Sequence, residues 1–519
     1  MKTQVLIIGG GITGAGIARD LALRGIHSIL IEKEDLNAGA SGGNHGLLHS
    51  GARYIEVDPL VARECQVENR LLKQLAPQCI EDTGGLFVAI EGDDESYISD
   101  FPSLCNQAGI PVAPMDVITA RGLEPGLSPK TIAVYGVEDA AVDPFRLTFD
   151  NIGHAQELGS QFLPNTRAVK FMIRNRQICH VRTIDTLTGE EKYIETMYVV
   201  NAAGTWSDQV TALADISLPM VYSKGSLLVT QYRFTHRVIN RMRKASDGDI
   251  LVPGGTVSIL GTTSVRIDTP QQISPTIAEV EQIISQGAAM IPELETARYI
   301  RAYSGVRPLT GPSRRGNDRD VSRGFSLIKH SDHGVDNFLT ITGGKLTTFR
   351  LMAEKATDEI CRYLGVDAPC QTAVLPLPAQ SASRWTEPGS GARFWIKNKD
   401  PKDMLLCGCE MVPQSSIDSL VDSLGNNHRN TLLRSINRRS RIGKGPCQGM
   451  FCSTRVMAYL YHTGMIEGRE GIEELKSFLR ERWRGQHPIM WEARLIQAEL
   501  QEAMHCGLLG LELADTKSK

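Results

Sequence analysis

Apolar residues near the start of the chain fall into two patterns, short unbroken runs and helical spacing. Residues 4–8 form an apolar run typical of a buried strand, and three glycines end it. Ala18 and Leu21 then follow at the spacing of one helix face, and a second apolar run at 28–31 ends at Glu32. This order of strand, helix and strand predicts a βαβ unit with parallel strands.

Later segments predict elements of two kinds. Residues 198–201 and 338–342 are strand-like, and helical spacing follows the second of them at 346–361. Between them, apolar and polar residues alternate at 227–231 and 257–261, which suits an antiparallel sheet with one covered face. We therefore expect an α/β protein in which a Rossmann-like nucleotide-binding domain is interleaved with an antiparallel-sheet domain.

The C-terminal part of the chain has a different pattern. Residues 376–392 are rich in proline, serine, glycine and alanine without periodicity, which indicates a linker. Beyond it, apolar residues such as Leu475 and Leu479 recur at helical spacing, so we expect a small helical domain over 393–519. The nucleotide-binding segments are expected at about 1–75, 145–215 and 335–375, and those of the antiparallel domain at about 76–144 and 216–334.

Composition narrows the class of protein. With 519 residues, of which 41% are hydrophobic and 22% charged, the chain is typical of a globular protein of about two to four domains. Its net charge of −3 gives no general attraction to nucleic acid or to an anionic membrane. The sequence shows neither a bilayer-spanning apolar run nor a secretory signal. We therefore expect a cytoplasmic protein that reaches a membrane only through partners.

The glycine-rich turn after the first strand indicates a nucleotide site. GGGITG at 9–14 fits G-x-G-x-x-G through Gly9, Gly11 and Gly14, which allow a tight turn, close approach of a pyrophosphate and close helix–strand packing. The following helix presents its positive N-terminal end to the phosphates, and Glu32 lies where an acid accepts hydrogen bonds from the ribose. The glycine pattern alone would predict only a turn, but this context predicts a dinucleotide site.

Three further blocks favour FAD over NAD. GASGGNHG at 39–46 supplies small polar groups along the path of a long, extended cofactor. VVNAAGTWSD at 199–208 is a strand that ends in small residues, and ITGGKLTTFR at 341–350 is a strand, two glycines and a helix start. The N-terminus of that helix suits negative charge on the N1/C2 carbonyl edge of a reduced flavin.

The same chain contains HSGARY at 49–54, DAAVDPFRLT at 139–148 and YSGVRPL at 303–309. With these blocks it resembles the FAD-dependent glycerol-3-phosphate dehydrogenases, which share the fold group of D-amino-acid oxidase and sarcosine oxidase. GPCQGMFC at 445–452 and FLRERWRGQHPIMW at 478–491 extend the likeness to the large subunit of the anaerobic, multi-subunit enzymes. The resemblance implies oxidation of sn-glycerol 3-phosphate to dihydroxyacetone phosphate, with FAD held non-covalently.

The resemblance also implies a set of residues that contact FAD. They are Gly9, Gly11, Thr13, Gly14, Glu32, Lys33, Ala40, Ser41, Asn44, His45, Gly46, Leu48, His49, Ala203, Gly204, Gly343, Gly344, Lys345, Leu346 and Thr347.

Basic residues are expected to hold the substrate, because the planar fork of arginine binds two phosphate oxygens at once. Arg53, Arg307 and Lys345 match positions that contact substrate in the family. A single arginine is more often a surface ion pair, but these three lie beside glycine-rich turns of the cofactor site. Arg323 matches a further basic position near the phosphate, and Tyr54 is a candidate hydrogen-bond partner of the substrate.

The catalytic residues are expected among His49, Arg307 and Lys345. Single-subunit relatives carry a histidine after a Lys-Gly-Ser triplet, whereas this chain reads KGSLL, with Leu227 in that place. That departure removes a histidine there as the base. The group that takes the hydroxyl proton is left open between His49 and Lys345.

Four of the 11 cysteines form a pattern late in the chain: C-x-C, a gap of 37 residues, and C-x4-C. Four thiolates hold tetrahedral zinc or an iron–sulfur cluster, and a disulfide framework is unusual in so long a chain. The one-residue spacing fits zinc poorly and resembles the bacterioferritin-associated-ferredoxin type of [2Fe–2S] domain. A flavin accepts two electrons at once, and a quinone-linked chain carries them singly, so we also expect a one-electron carrier to take the electrons from the flavin. The expected ligands are Cys407, Cys409, Cys447 and Cys452.

Basic residues between 429 and 444 predict a solvated helix face by default. The alternatives are that they offset the charge of such a cluster or form a docking face. The resemblance implies that electrons pass through partners to a quinone. The implied partners are a second subunit that contains flavin and an iron–sulfur subunit that docks the complex on the inner membrane. FMN is a candidate cofactor of the complex.

Two alternative functions stay open: a multi-subunit FAD enzyme for an amino or hydroxy acid, and a non-catalytic electron-carrier subunit. Nucleic-acid binding has no support.

Overall fold

A largely parallel sheet forms the nucleotide-binding part of the protein. The structure, a computed structural model, describes residues 1–271, 273–310, 324–424 and 431–511. Within these ranges the sheet has eight strands: β1 (Lys2–Ile8), β2 (Ser28–Ile31), β9 (Gln161–Leu163), β10 (Thr166–Arg174), β11 (Gln177–Asp185), β12 (Glu191–Asn201), β19 (Phe325–Lys329) and β20 (Phe338–Gly343). β1 pairs in parallel with β2 and β12, and β12 pairs in parallel with β20.

Both faces of this sheet are covered, which explains why β1 is apolar at successive positions. Val5 and Ile7 pack into the core beneath three helices. Leu6 and Ile8 point to the opposite face and pack into a second core that contains Phe338. The three helices are α1 (Ile12–Leu23), α5 (Pro144–Glu157) and α8 (Phe349–Leu364).

A second sheet, largely antiparallel, lies beside the first. Its nine strands in the described residues are β5 (Gly85–Ile90), β6 (Ala113–Met115), β7 (Thr131–Val137), β13 (Met220–Thr230), β14 (Val238–Arg241), β15 (Ile250–Gly254), β16 (Val257–Gly261), β17 (Val265–Ile267) and β18 (Tyr299–Thr310). The alternating segments at 227–231 and 257–261 contribute to β13 and β16, which pair antiparallel as predicted. The predicted α/β architecture with an interleaved antiparallel domain is confirmed.

Helices and a small sheet complete the larger part of the chain. The helices are α2 (Pro59–Leu75), α3 (Glu95–Gln107), α4 (Val117–Leu123), α6 (Ser207–Thr211) and α7 (Ile277–Met290), and the small sheet contains β3 (Leu47–Leu48), β4 (Ile80–Glu81) and β8 (Ala140–Val142).

The C-terminal region is mainly helical, as predicted. It contains the hairpin of β21 (Leu405–Cys407) and β22 (Val412–Pro413), together with the helices α9 (Ser390–Asn398), α10 (Gln414–Leu424), α11 (Leu432–Arg439), α12 (Cys452–His462), α13 (Glu470–Arg484) and α14 (Ala493–Glu502). Its core includes Leu420, Ile436, Val456 and Leu460. None of the helices in the described residues is both long enough and apolar enough to cross a bilayer.

The segment predicted as a linker, 376–392, is packed rather than extended. A short 3₁₀ helix at Ser383–Thr386 buries Trp385, and α9 already begins at Ser390. The hydroxyl of Ser383 hydrogen-bonds to Asp150, and Arg146 forms an ion pair with Glu387. A composition rich in proline and serine excludes regular periodicity, but it does not exclude tertiary contacts.

Polar contacts attach the helical region to the nucleotide-binding part. The buried carboxylate of Asp35 pairs with the Arg439 guanidinium and accepts a hydrogen bond from Ser435. On the antiparallel domain, the Ala302 amide donates to the Gly485 carbonyl oxygen. The helical region is therefore held against both the parallel-sheet domain and the antiparallel-sheet domain.

Candidate functional site

Most residues of the predicted FAD and substrate sets line one cavity of about 380 Å³. The cavity lies at the carboxyl ends of β1, β2, β12 and β20, where ligands bind in open α/β sheets. The residues of these sets that line it are Gly9, Gly11, Thr13, Glu32, Lys33, Ala40, Ser41, Asn44, His45, His49, Arg53, Tyr54, Ala203, Gly204, Arg307, Gly343, Gly344, Lys345 and Leu346.

A few predicted residues take other positions. Thr347 supports the cavity from behind, because its hydroxyl accepts a hydrogen bond from the His49 amide. Leu48 is fully buried in β3, and Gly46 faces a different cleft. Arg323 lies outside the described residues.

Gly14 allows the close helix–strand packing predicted from its motif. A Cβ at this position would lie 2.0 Å from the Gly9 carbonyl oxygen, far inside van der Waals contact. Gly11 precedes α1 and provides no side-chain cap. The Ile12 amide, the first of α1, donates to the Ser41 hydroxyl at 3.0 Å. Gly11, Ile12 and Ser41 line the cavity, so the positive end of the helix faces the space where a pyrophosphate would bind.

Glu32 is held rigidly at the end of β2. Its carboxylate accepts hydrogen bonds from the Gly10 amide at 2.8 Å and the Glu34 amide at 2.9 Å. Burial raises the pKa of Glu32. Each carboxylate oxygen accepts more than one hydrogen bond, so both retain capacity for the ribose hydroxyls. These features of Gly14, α1 and Glu32 fit FAD.

His49, Tyr54 and Lys345 form a cluster at the opposite end of the cavity. Tyr54 Oη and His49 Nε2 are 3.3 Å apart, and Lys345 Nζ lies 4.1 Å from the centre of the Tyr54 ring. Burial first, and then His45 and Lys345, lower the pKa of His49 well below its usual value. The imidazole is therefore neutral at neutral pH and able to accept a proton.

Arg53 and Arg307 bring two guanidinium groups to the same cavity. Arg53 follows β3 in the short helix Ala52–Tyr54 and donates from Nη2 to Asp249 and to the Ser246 carbonyl oxygen. Arg307 lies on β18. Burial and the positive charge of Arg307 and Arg53 lower the pKa of His45 to about 3. The cavity therefore has a strongly positive end that suits an anionic group.

Several residues that hold Arg307 were missed by sequence reasoning. Arg307 donates from Nη1 to the Thr263 carbonyl oxygen at 3.1 Å and from Nη2 to the Thr262 hydroxyl. Gly225 leaves room for the guanidinium, because a Cβ there would lie 2.5 Å from Arg307 Nη2. Neither threonine belongs to a recognisable motif. The Lys-Gly-Ser triplet around Gly225 was the only signal in the sequence.

The four predicted thiols lie together in the C-terminal region. Cys407 ends β21 and Cys452 begins α12, with Cys409 and Cys447 in the adjoining turns. The sulfur atoms of Cys407 and Cys409 are 3.7 Å apart, and those of Cys409 and Cys447 are 3.9 Å apart. Within the described ranges, no group of three or more His, Cys, Asp or Glu side chains has ready-made geometry for a metal ion. The metal site therefore stays a prediction.

The basic residues before the second cysteine pair are largely engaged within the protein. Arg439 pairs with Asp35, and Arg441 pairs with Glu410. Arg434 and Arg438 lie 3.9 and 3.6 Å from a Glu34 oxygen. Arg429 lies outside the described residues. A purely solvated helix face is therefore not what this segment forms.

A second, larger cleft of about 1980 Å³ lies between the block at residues 39–46 and the thiol-bearing loop, residues 443–452. Asn44 and His45 line it on one side, and Lys444 and Gln448 line it on the other. The cleft thus separates the two predicted cofactor sites.

The comparison with protein families gives one match over the larger part of the chain. The family model described as FAD dependent oxidoreductase matches residues 4–354. The chain is 42% identical to the A subunit of the anaerobic glycerol-3-phosphate dehydrogenase of Escherichia coli (strain K12), over 98% of this chain and 97% of that protein. It is 38% identical to the protein of the same name from Haemophilus influenzae, over 98% and 94%.

A solved structure supports the fold. The glycerol-3-phosphate dehydrogenase from Bacillus halodurans, complexed with FAD, superposes with a TM-score of 0.64 and 21% sequence identity. The superposition covers 93% of this chain and 95% of that chain. The likeness therefore extends over both domains of the FAD-binding part.

Proposed function

The chain belongs to the FAD-dependent oxidoreductases and, within them, to the A subunits of anaerobic glycerol-3-phosphate dehydrogenase, and on that basis we propose that it oxidises sn-glycerol 3-phosphate to dihydroxyacetone phosphate. One observation carries this proposal. Arg53, Arg307 and Lys345 line the same cavity as the glycine-rich turn at Gly9 and Gly11. The cations that a phosphate ester needs thus lie beside the turn that would hold a dinucleotide.

When bound, FAD accepts the hydrogen of the carbinol carbon together with two electrons. The protein's own residues do the rest. Gly9, Gly11 and the N-terminal end of α1 would hold the pyrophosphate, and Glu32 would accept hydrogen bonds from the ribose. Gly343 ends β20, and Gly344 follows it beside Lys345. Both glycines line the cavity, so the flavin ring could approach the backbone closely there.

Arg53 and Arg307 would bind the substrate phosphate. Each guanidinium already has partners on the protein, Asp249 for Arg53 and the two threonines for Arg307. These partners fix the orientation of both groups before the substrate arrives. A fixed guanidinium loses less freedom on binding and so contributes more to affinity.

His49 is the better of the two candidate bases. A base must be unprotonated before the reaction, and the lowered pKa of His49 keeps its imidazole neutral. Lys345, 4.1 Å from the Tyr54 ring centre, is then available to stabilise negative charge on the substrate oxygen. Tyr54 lies between them, and its hydroxyl orients the His49 ring.

The pH dependence of the reaction should report this base. Because the neutral imidazole is the competent form, the rate stays constant as pH falls until the lowered pKa of His49 is reached. At saturating substrate, the acid limb of the flavin-reduction rate should therefore lie below about pH 6.5, the value of an ordinary histidine. Stopped-flow measurements between pH 5 and 8 test this. His154→Gln, outside the cavity, should leave the profile unchanged, and a limb centred at or above pH 6.5 in the wild type would contradict the assignment.

We also propose that Cys407, Cys409, Cys447 and Cys452 hold a [2Fe–2S] cluster. The support is the C-x-C and C-x4-C spacing, together with the gathering of all four thiols from two distant segments. Such a cluster, when bound, carries electrons singly, which zinc cannot do. Arg482 interacts electrostatically with Cys447 and Cys452, and Arg494 interacts with Cys447. These two arginines would offset part of the negative charge of the four thiolates.

The acceptor side of the reaction rests on the family resemblance. We propose that electrons leave for a quinone through a second subunit that contains flavin, and then through an iron–sulfur subunit that docks the complex on the inner membrane, with FMN in the complex. The relatives are named as one subunit of an enzyme, which agrees with further subunits. A large cleft beside the thiol loop is compatible with such partners.

Anaerobic mixing tests the substrate directly. The visible absorbance of the bound flavin should bleach with sn-glycerol 3-phosphate, and it should not bleach with sarcosine or 2-hydroxyglutarate. Bleaching by either acid instead would favour an amino- or hydroxy-acid enzyme, in which a carboxylate occupies Arg53 and Arg307. No bleaching with any of the three would favour a non-catalytic electron carrier.

A further inference from the structure

A buried carboxylate outside the predicted site holds one of the two substrate-facing arginines. The side chain of Asp249 has no exposure to solvent and lies just before β15. Its Oδ2 accepts from Arg53 Nη2 at 3.0 Å and from the Ser246 amide at 2.6 Å. Its Oδ1 accepts from Arg243 Nε at 3.0 Å and from Arg243 Nη2 at 2.8 Å. An ionised carboxylate has about four acceptor sites, and here all four are used.

This saturation makes Asp249 a rigid support. The carboxylate cannot turn without breaking at least two charge-assisted hydrogen bonds, each stronger than a neutral one. Arg243 is itself fixed, because its Nη2 also donates to Gln286 at 2.8 Å. The position of Arg53 Nη2 is therefore set by a network that extends away from the cavity.

Arg53 keeps hydrogen-bonding capacity beyond this support. Its side chain is 8% exposed, and its Nη1 is buried with no hydrogen-bond partner among the described residues. A buried donor without a partner is costly, and an anion bound at this end of the cavity would relieve that cost. Asp249 engages one terminal nitrogen of Arg53 and leaves the other.

Charge gives Asp249 a second effect. Arg53, Arg307 and Lys345 line one cavity, so three positive groups converge before any substrate is present. Two of the groups that hold Arg307 are the neutral oxygens of Thr262 and Thr263. Asp249 places a full negative charge behind Arg53 and reduces the repulsion among the three.

We propose that Asp249 is a positioning residue that orients Arg53 and thereby sets the preference for a phosphate-bearing substrate; the inference rests on the proposed function. Asp249 does not line the cavity and acts through Arg53, which does. Asparagine at this position would have one acceptor oxygen and would turn an N–H donor towards either Arg53 or Arg243. The guanidinium of Arg53 could then rotate away from the orientation that faces the substrate phosphate.

The test is Asp249→Asn in the full-length holoenzyme, with flavin reduction followed anaerobically. The concentration of sn-glycerol 3-phosphate at half-maximal rate should rise roughly ten- to hundred-fold, as expected for a lost hydrogen bond to a charged group. The limiting rate should change by less than about threefold, because His49 and Lys345 are untouched. With glycerol, which has the same secondary alcohol and no phosphate, the second-order rate constant should be unchanged.

Asp93→Asn is the matched control. The side chain of Asp93 is only 4% exposed and accepts three hydrogen bonds from Arg241 on β14, at 3.1, 2.8 and 2.8 Å, but neither residue lines the cavity. The Asp93→Asn variant should be less stable to heat, but its rate of flavin reduction should depend on substrate concentration as in the wild type. In an Arg53→Ala background, Asp249→Asn should add no further loss of affinity.

Three results would overturn the proposal: unchanged affinity in Asp249→Asn, an equal loss with glycerol, or an undiminished loss in the Arg53→Ala background. If the Asp249→Asn variant does not retain FAD, the test uses Arg243→Gln instead. That variant removes the hydrogen bonds from Arg243 to Asp249 Oδ1, so the concentration of sn-glycerol 3-phosphate at half-maximal rate should rise several-fold. No rise in that variant would equally overturn the proposal. A wild-type protein that sn-glycerol 3-phosphate does not reduce would instead refute the proposed function.

Discussion

Replacement of Arg307 by alanine is expected to lower flavin reduction by sn-glycerol 3-phosphate by two to three orders of magnitude while FAD stays bound. Removal of one partner from a buried, hydrogen-bonded charge pair costs about 2–5 kcal/mol, and each 1.36 kcal/mol corresponds to about a factor of ten in rate. Arg307 lies at the positive end of the cavity, apart from the glycine-rich turn at Gly9, so the residues proposed to hold the pyrophosphate are unchanged in this variant. Anaerobic stopped-flow titration gives kcat/KM, and the visible spectrum gives the FAD content.

A surface arginine provides the control. Arg176 is 58% exposed and pairs with Asp336, and Arg176→Ala should change neither kcat/KM nor FAD content. Arg307→Lys should fall between wild type and alanine, because it keeps the charge and loses the two-nitrogen fork. If sn-glycerol 3-phosphate bleached the flavin of Arg307→Ala at the wild-type rate, Arg307 would not be a phosphate-binding residue.

Replacement of Cys447 by serine is expected to separate the two halves of the reaction. The substrate should still reduce the flavin at close to the wild-type rate, because the cavity around His49 contains no part of the thiol-bearing loop. Electron delivery from the complex to a quinone analogue should be lost almost completely, and iron and acid-labile sulfide should fall with it. Serine keeps the volume of cysteine but is a poor ligand for iron–sulfur clusters.

Cys179→Ser is the matched control for this experiment. Cys179 is partly buried on β11, far along the chain from the four clustered thiols, and its sulfur contacts the Gln177 carbonyl oxygen at 3.6 Å. It should retain both half-reactions and the full iron content. If Cys447→Ser kept its iron and its quinone activity, these four cysteines would not be the ligands of a cluster.

Local sequence rules predicted the elements that carry the nucleotide site. β1, the glycine turn and α1 are contiguous, so their pattern is complete within about thirty residues, and the fold class and FAD family are confirmed. The cysteine spacing likewise brought four thiols to attention before any contact was known. The metal centre that these thiols bind stays a prediction, as do the roles of Arg53 and Lys345.

Residues that act through tertiary contacts left no such signal. Thr262 reaches Arg307 from a loop after β16, and Asp249 reaches Arg53 across almost two hundred positions of sequence. Isolated threonines and aspartates are common on any surface, and only the folded chain shows that these two side chains hydrogen-bond to a guanidinium. The packing of residues 376–392 left no signal for the same reason, because the burial of Trp385 depends on α5 and on the helical region rather than on its sequence neighbours.

The order of strands has a consequence for how the protein is made. β1 leaves the ribosome first, yet its sheet is completed by β12 and then by β20, which begins only at Phe338. At synthesis rates of ~5–20 residues per second, roughly tens of seconds separate the two. During that interval β1 can pair with β2, but the edge of β12 that pairs with β20 stays open, so we expect nascent chains to need chaperone protection. The cavity is complete only after Gly343 and Gly344 have emerged, so we expect the flavin to bind late in synthesis.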